Sequence, residues 1–237
     1  MMKKLYMLKY FISILLVTIS LNLFSQENAI SDSIPINNTY GIKLGIDISK
    51  QIRMLTESDY KGLVITVDYR VLEKLFIAAE FGSEEKKITN EVLDFNTDGT
   101  FLKLGANYNV YKNRKGLNNE IYVGFRYGLG KFNHKLNSYT IYDLDNYWNQ
   151  NLANNITDYN SLNASWFELV FGFNAEVLKN TYMGLNLRLN RLLNQESPEN
   201  FNNLYIPGFN KVLEENNFGV GISYSIFYHI PIYKKKK

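Results

Sequence analysis

Residues 121–130 of the chain, IYVGFRYGLG, carry the pattern that decides the fold. Their odd-numbered positions are all apolar, whereas their even-numbered positions hold three glycines, a tyrosine and an arginine. A period of two residues is that of a β-strand, in which successive side chains point to opposite faces. The stretch is therefore predicted to be a strand with one apolar face and one face of small and polar side chains. The same period argues against a glycine-rich phosphate-binding loop.

Seven other segments repeat this alternation. They cover residues 40–49, 62–71, 75–82, 101–110, 166–177, 183–190 and 218–230. Short connections strictly alternate with long ones that are rich in Asn, Asp and Ser. The short ones are 72–74, 112–119 and 178–180, and the long ones are 50–60, 83–99, 133–165 and 194–217. This predicts an all-β fold, an eight-stranded antiparallel up-and-down barrel with tight turns at one end and large loops at the other. No convincing helical period follows residue 39.

The composition of the two strand faces indicates which of them is buried. A soluble, lipocalin-like barrel would place the apolar face inside, whereas a membrane barrel turns that face to lipid. The polar face is dense in glycine and carries charges of both signs, which suits a narrow interior. Ten strand residues at roughly 3.4 Å each and a tilt near 45° span about 24 Å, close to the apolar band of outer-membrane barrels. We therefore expect a transmembrane β-barrel.

The amino terminus has the pattern of an export signal. Residues 1–9 are basic, residues 10–24 form an apolar run, and Ser25 precedes Gln26 as a signal peptidase requires. Such a run is short for a transmembrane helix, although an uncleaved anchor is the alternative. The chain has no cysteine, so neither a lipid-anchored amino terminus nor disulfides are expected.

These features give a domain plan for the 237 residues. We expect a cleaved signal peptide at 1–25, a polar segment at 26–39, the barrel at 40–233 and a basic tail at 234–237. Without the signal peptide the chain carries 23 bases and 23 acids, because three of the 26 bases lie in residues 1–25. This neutral balance argues against nucleic acid as a partner. The expected partners are outer-membrane lipid and the outer-membrane assembly machinery, and the expected location is the bacterial outer membrane.

Several stretches resemble a family of uncharacterised Bacteroidota outer-membrane β-barrels, domain of unknown function 6048. They are YGIKLGIDISK (40–50), DYKGLVITVDYR (59–70), IYVGFRYGLGKF (121–132), WFELVFGFNAEVLKN (166–180), YIPGF (205–209) and IPIY (230–233). The resemblance implies an outer-membrane protein and supplies no activity, so it assigns no catalytic residue. The basic tail departs from outer-membrane barrels generally, whose last strand commonly ends the chain on an aromatic residue.

The polar strand faces predict a structural ion-pair network in the lumen. Its members are Lys43, Asp47, Asp68, Arg70, Glu80, Lys103, Arg126, Glu168, Glu176 and Arg188. Five charges of each sign suit a filled interior. Counting along neighbouring strands places Lys43 near Asp68, Glu80 near Lys103, and Glu168 between Arg126 and Arg188. Glu168 is therefore the expected hub.

The long connections contain the candidates for contacts outside the barrel. The third holds Tyr139, Tyr142, Tyr147, Trp148 and Tyr159. Exposed aromatics among amides suit sugar or protein contacts, while the alternative is that they pack together over the barrel mouth. Residues 205–209 are predicted to form a turn that packs as a lid. A calcium site at Asp143, Asp145 and Asp158 is less favoured than solvated loop acids. No cofactor or metal site is expected, because His134 and His229 fall at opposite ends.

Two classes of function remain. The first is a non-enzymatic outer-membrane barrel with a structural or surface-interaction role, whose surface ligand or protein partner the sequence does not identify. The alternative is a small enzyme acting on lipid A or phospholipid at the barrel rim, for which His134 with Ser138 is the one candidate. A pore is disfavoured because side chains fill so narrow a barrel.

Overall fold

The computed structural model describes residues 38–112, 118–140, 152–153, 157–198, 201–212 and 217–235. Eight long strands make the barrel: β1 (Asn38–Asp47), β2 (Tyr60–Arg70), β3 (Leu75–Thr89), β4 (Leu93–Asn109), β5 (Glu120–Thr140), β7 (Thr157–Leu178), β8 (Thr181–Gln195) and β11 (Phe218–Lys235). Three strands of two residues each are β6 (Leu152–Ala153), β9 (Tyr205–Ile206) and β10 (Asn210–Lys211), and the helix α1 covers Ile48–Thr56. The predicted signal peptide lies outside the described residues.

The eight long strands close into a ring. Each pairs in antiparallel fashion with the long strand that precedes it and the one that follows it, and β11 pairs back to β1. Closure satisfies the backbone hydrogen bonds of every strand without leaving a free edge. The predicted eight-stranded antiparallel up-and-down barrel is confirmed. Within the described residues, no helix is long and apolar enough to cross a membrane.

Burial in the barrel is inverted relative to a water-soluble protein. Along β5 buried and exposed residues alternate from Glu120 to Phe132. Phe125 is 49% exposed on the outside, whereas its neighbour Arg126 is 2% exposed on the inside. The other long strands repeat this arrangement, with Leu, Ile, Val and aromatic side chains outside. A soluble barrel would place these apolar side chains in its interior.

Four strands extend well beyond the apolar band, contrary to the sequence prediction. β3 and β4 remain paired up to Thr89 and Asp94, so the predicted loop 83–99 is mainly a hairpin. Likewise β5 and β7 pair from Glu120 to Leu136, which converts much of the predicted loop 133–165 into strand. These extensions are polar on the outside. They therefore lack the apolar alternation by which the other segments were identified.

The first predicted loop contains a helix, α1, which the sequence pattern did not reveal. Asp47 ends β1 and caps the helix, since its carboxylate accepts a hydrogen bond from the Ser49 backbone amide at 3.0 Å. Residues 48–49 had been assigned to the strand because Ile48 continues its alternation. At nine residues the helix depends on its contacts with the barrel, because so short a helix is marginal by itself.

The barrel ends differ slightly from the predicted bounds. β1 begins at Asn38, and β11 continues to Lys235, so that Thr39 pairs with Lys234. The first two residues of the predicted basic tail thus belong to the last strand. Next to β11 in the ring, β7 and β8 join in a tight turn in which Asn180 has a φ of +64°. Asparagine adopts this left-handed conformation more readily than most residues.

Candidate functional site

A layer of five charged side chains crosses the lumen at mid-height, and we call it the charged layer. Its members are Glu80 of β3, Lys103 of β4, Arg126 of β5, Glu168 of β7 and Arg188 of β8. Lys103 Nζ lies 2.6 Å from Glu168 Oε1, and Arg188 Nη1 lies 3.1 Å from Glu168 Oε2. Arg188 Nη1 also lies 2.7 Å from Glu80 Oε2, and Arg126 Nε lies 3.3 Å from Glu80 Oε1. All five are buried, so the layer forms a continuous chain of ion pairs across the barrel.

The pairing in this layer agrees with the sequence expectation for Glu168 with Arg188 and differs from it for the other members. Glu80 is level with Lys103, and Arg126 with Glu168, on neighbouring strands. The side chains nevertheless cross the lumen, so that Glu168 pairs with Lys103 and Arg188, while Arg126 pairs with Glu80. Such crossing is natural in a barrel of eight strands, whose interior is about as wide as two long side chains.

Glu168 also receives a neutral hydrogen bond. The indole Nε1 of Trp166, on the same strand, donates to Glu168 Oε1 at 2.8 Å. The carboxylate thus has three donors from three different side chains. A fully buried carboxylate needs such partners because the charge has lost its hydration.

A second ion pair lies toward the tight-turn end. Lys43 pairs with Glu120, which also accepts a hydrogen bond from Asn174 Nδ2 at 2.9 Å. The sequence analysis placed Lys43 with Asp68, which is its neighbour in register on β2, and it missed Glu120. Glu120 shares the parity of Tyr122 and Arg126, so extending the predicted strand by one residue would have identified it.

Three predicted lumen residues lie at the barrel rims. Asp47 caps α1 at one end. At the other end, Arg70 donates to the backbone oxygens of Thr39 and Glu73. Glu176, also at that end, accepts hydrogen bonds from the Asn118 amide and the Asn180 backbone amide. These side chains hold turns and termini because their strands end there.

The long-loop end of the lumen is filled by residues 201–212, which we call the plug. The β9–β10 hairpin brings Ile206 and Phe209 inside the wall. There they form an apolar cluster with Val64, Phe101, Phe132, Ala164, Trp166, Leu192 and Val212. Trp166 and Phe209 meet edge to face, with ring centroids 6.0 Å apart. Trp166 therefore lies between the charged layer, where it donates to Glu168, and the apolar cluster of the plug.

Glu84 of β3 attaches both the plug and α1 to the wall. Its carboxylate accepts hydrogen bonds from the Tyr205 hydroxyl at 2.7 Å and the Gly208 backbone amide at 3.1 Å. It also pairs with Lys50 of α1 at 2.7 Å. Glu84 is absent from the predicted ion-pair network because it lies in the predicted loop 83–99. It is four residues after Glu80 and so has the same inward parity.

The remaining space in the lumen is small. A cavity of about 30 Å³ lies between the plug and the charged layer, lined by Lys50, Arg188 and Asn210 among others. Another of about 20 Å³ lies at the tight-turn end beside Lys43 and His229. Each has room for one or two water molecules. Among the described residues, no group of His, Cys, Asp or Glu is arranged to hold a metal ion.

His134 occupies a different environment from the one expected. It falls within the predicted long loop 133–165, yet it is 1% exposed on the extension of β5. Its Nε2 lies 2.9 Å from Asn203 Oδ1, its Nδ1 lies 3.1 Å from the Asn133 carbonyl oxygen, and its ring packs on Phe95. Burial lowers the pKa of His134 to about 4, although both oxygen partners favour the charged form. Both ring nitrogens face oxygen atoms of Asn133 and Asn203, so the structure gives the proposed His134 and Ser138 arrangement for catalysis no support.

Two of the five predicted loop aromatics can be placed. Tyr159 packs edge to face on Phe201 of the plug, with ring centroids 5.4 Å apart. Tyr139 lies in β5 opposite Leu93. Both are half-buried. Tyr142, Tyr147 and Trp148 lie outside the described residues, as do Asp143 and Asp145.

Comparison with known proteins identifies a family. The family model described as Domain of unknown function (DUF6048) matches residues 7–235. This match confirms the family resemblance found in the sequence, though it does not test the Bacteroidota origin. A search of curated proteins found no match.

The search of solved structures found matches to this chain, including the following three. Ail, the attachment invasion locus protein of Yersinia pestis, is 8% identical, with 82% of this chain and 100% of that chain covered and a TM-score of 0.42. Neisserial surface protein A is 11% identical, with 82% and 99% covered and a TM-score of 0.43. Acinetobacter baumannii CarO2 is 9% identical, with 82% and 100% covered and a TM-score of 0.39.

Proposed function

The chain belongs to the family described as Domain of unknown function (DUF6048), and we propose that it is a non-enzymatic outer-membrane barrel with a sealed lumen. In this proposal the protein has a structural or surface-interaction role. Its extended hairpins stand at the cell surface, and its tight turns face the periplasm. Its partners are outer-membrane lipid, the outer-membrane assembly machinery and a surface ligand or protein.

The observation that carries the proposal is the inverted burial of the barrel. Leu129 is 48% exposed on the outside, while Glu168 is completely buried inside. In water, such an apolar exterior would drive aggregation, whereas lipid is a suitable solvent for it. The outer-membrane location follows from this exterior together with the closed ring, since only helices and closed barrels satisfy their backbone within a bilayer.

The contents of the lumen support a sealed barrel. The charged layer spans the interior from β3 to β8, and its two carboxylates pair with its three cations across the lumen instead of lining an open path. The plug adds an apolar barrier above it. An ion crossing the barrel would have to break several buried ion pairs, at a cost of several kcal/mol each.

The extended hairpins support a role at the cell surface. β3 and β4 continue about seven residues beyond the apolar band, to a turn at 90–92 that is capped by the Asn90 side chain. Rigid hairpins of this kind can hold loops at a distance from the bilayer, where partners reach them.

Planar bilayer recording tests the sealed lumen. We expect no steady conductance from the wild-type protein. A variant that lacks the plug should also remain closed, because the charged layer lies beneath it. Sustained currents from the wild type would contradict the proposal.

Surface labelling tests the orientation of the barrel. Because the chain has no cysteine, single cysteines can be introduced at Glu91 in the hairpin turn and at Asn118 near the tight-turn end. Both positions are exposed. A membrane-impermeant reagent applied to whole cells should label E91C and not N118C, and both should react after lysis. The opposite pattern would invert the topology.

A further inference from the structure

The helix α1 presents an apolar face to the outside of the barrel. Ile48, Ile52 and Leu55 recur at intervals of four and three residues, which places them on one side of a helix. Ile52 is 53% exposed and Leu55 is 88% exposed. None of the nine helical residues is buried. An amphipathic helix normally buries this face against its own protein, and here the face is left uncovered.

The opposite face of α1 is basic and contacts the barrel wall. Lys50 pairs with the buried Glu84 at 2.7 Å. The guanidinium of Arg53 lies 3.9 Å from the centre of the Tyr60 ring and forms an ion pair with Glu57 at 3.0 Å. These contacts fix the rotation of the helix about its axis. The apolar face therefore cannot turn inward without breaking them.

The carboxyl-terminal end of α1 is also held to the barrel wall. Lys86 of β3 lies 2.9 Å from the carboxylate of Glu57 and 2.6 Å from that of Asp59. Hydrogen bonds from Lys86 lower the pKa of both carboxyls. The helix is consequently anchored by Asp47 at its start and by Lys86 at its end.

The apolar face of α1 continues the apolar band of the barrel. Ile46 of β1 and Leu63 of β2, the outward apolar residues nearest the helix in sequence, are 49% and 50% exposed. Met54, on the side of α1 nearer Lys50, and Leu63 line a common open groove of about 280 Å³ with Lys61, Ser83, Glu84 and Glu85. The apolar band thus reaches the helix along β1, where Ile48 follows Ile46 after one residue, whereas on β2 the ion pair of Lys61 with Glu85 lies between Leu63 and the helix. This occurs where the wall is lowest, since β1 ends at Asp47 and β2 begins at Tyr60.

We infer that α1 is an interfacial helix whose apolar face is inserted into the lipid leaflet at the long-loop end of the barrel. This inference rests on the proposed membrane location. A helix of this kind lies in the plane of the interface with its apolar side chains at the boundary between head groups and acyl chains. If the helix lay in water, the side chains of Ile48, Ile52 and Leu55 would not gain the free energy of burying apolar surface. In lipid they anchor the low side of the barrel and set its depth.

Fluorescence quenching in vesicles tests this inference. Single cysteines are introduced into the full chain at Leu55 on the helix, at Leu63 in the band and at Glu91 in the exposed hairpin turn. Each is labelled with an environment-sensitive dye and the protein is folded into phosphatidylcholine vesicles, with and without brominated acyl chains. All three side chains are exposed on the protein, so the substitutions should not disturb folding.

We expect brominated lipid to quench the dye at L55C nearly as much as at L63C and severalfold more than at E91C. If L63C is quenched while L55C behaves like E91C, the helix lies in water and the inference is overturned, although the membrane barrel stands. If the dye at L55C reports an apolar site that brominated lipid does not quench, a protein surface covers the helix, and the inference is again overturned. If L63C is not quenched, the proposed function itself is wrong.

Discussion

The charged layer and the plug fill the same lumen by different physical means. The charged layer consists of side chains from five strands of the wall, so it cannot be removed without rebuilding the barrel. The plug is a separate segment that contributes Ile206 and Phe209 to a cluster with wall residues. The charged layer is held by buried ion pairs, and the plug is held mainly by apolar packing. We therefore expect the charged layer to contribute to the global stability of the barrel, and the plug to dock and undock in a local equilibrium.

The two regions should therefore fail in different ways. Removing one member of a buried ion pair leaves an uncompensated buried charge. Removing an apolar side chain from the plug leaves a cavity, and we expect the plug to undock while the barrel remains closed. A substitution in the charged layer should lower the free energy of global unfolding. A substitution in the plug should lower the free energy of docking, and its effect cannot exceed that free energy.

The largest effect is expected for E168Q. This change removes the charge that faces Lys103 and Arg188 and weakens the acceptor for Trp166. It should lower the free energy of unfolding by about 3 to 5 kcal/mol, as breaking a buried pair does. Urea unfolding in lipid vesicles measures this value.

The matched control for E168Q is D158N. Asp158 is exposed and lies 4.0 Å from Lys135, so the same chemical change should cost almost nothing. Equal stability of the two variants would show that the charged layer is solvated, and the contrast with the plug would disappear.

A smaller effect is expected for F209A. Phe209 is 1% exposed and packs on Trp166, so its truncation should cost about 3 kcal/mol. This loss should appear as undocking of the plug. Trp166 reports it by fluorescence when the other tryptophan is replaced, in a W148F background. If F209A lowers the stability of the ring as much as E168Q does, the plug is part of the ring's cooperative unit.

The sequence pattern predicted the closed barrel. It did not predict the ion-pair partners across the lumen or the contacts that hold the plug. Alternation assigned all five members of the charged layer to the lumen, because parity depends only on the strand period. It could not pair Arg188 with Glu80, since these two residues meet across the lumen from strands that are not neighbours. Glu84 was missed for a different reason, as polar strand extensions resemble loops when both faces are hydrophilic.

The next effect concerns the tip of the plug. Gly208 has a φ of +83°, and a Cβ there would lie 2.5 Å from the Phe101 ring. G208A should therefore cost about 2 to 3 kcal/mol, from backbone strain and crowding together. Its control is G219A on β11, where a Cβ would meet Phe209 at 3.4 Å, an ordinary contact. Trp166 fluorescence should show easier undocking for G208A than for G219A. If the two variants undock equally, Gly208 does not pack against Phe101 as described.

The smallest effect is a pH dependence confined to the plug. Burial lowers the pKa of His134 to about 4, so the imidazole stays neutral while the plug is docked. When the plug undocks, His134 is exposed and binds a proton below about pH 6.5. The undocked state therefore binds more protons between these values, so docking should weaken as the pH falls from about 6.5 to 4. We expect the free energy of docking to fall by about 1 to 2 kcal/mol at pH 5, reported by Trp166 fluorescence in the W148F background.

The control for this pH dependence is H134Q, which can still bond to Asn203 and in which the dependence should vanish. If the pH dependence persists in H134Q, groups other than His134 cause it. If docking strengthens in acid, the two oxygen partners outweigh burial and hold His134 charged.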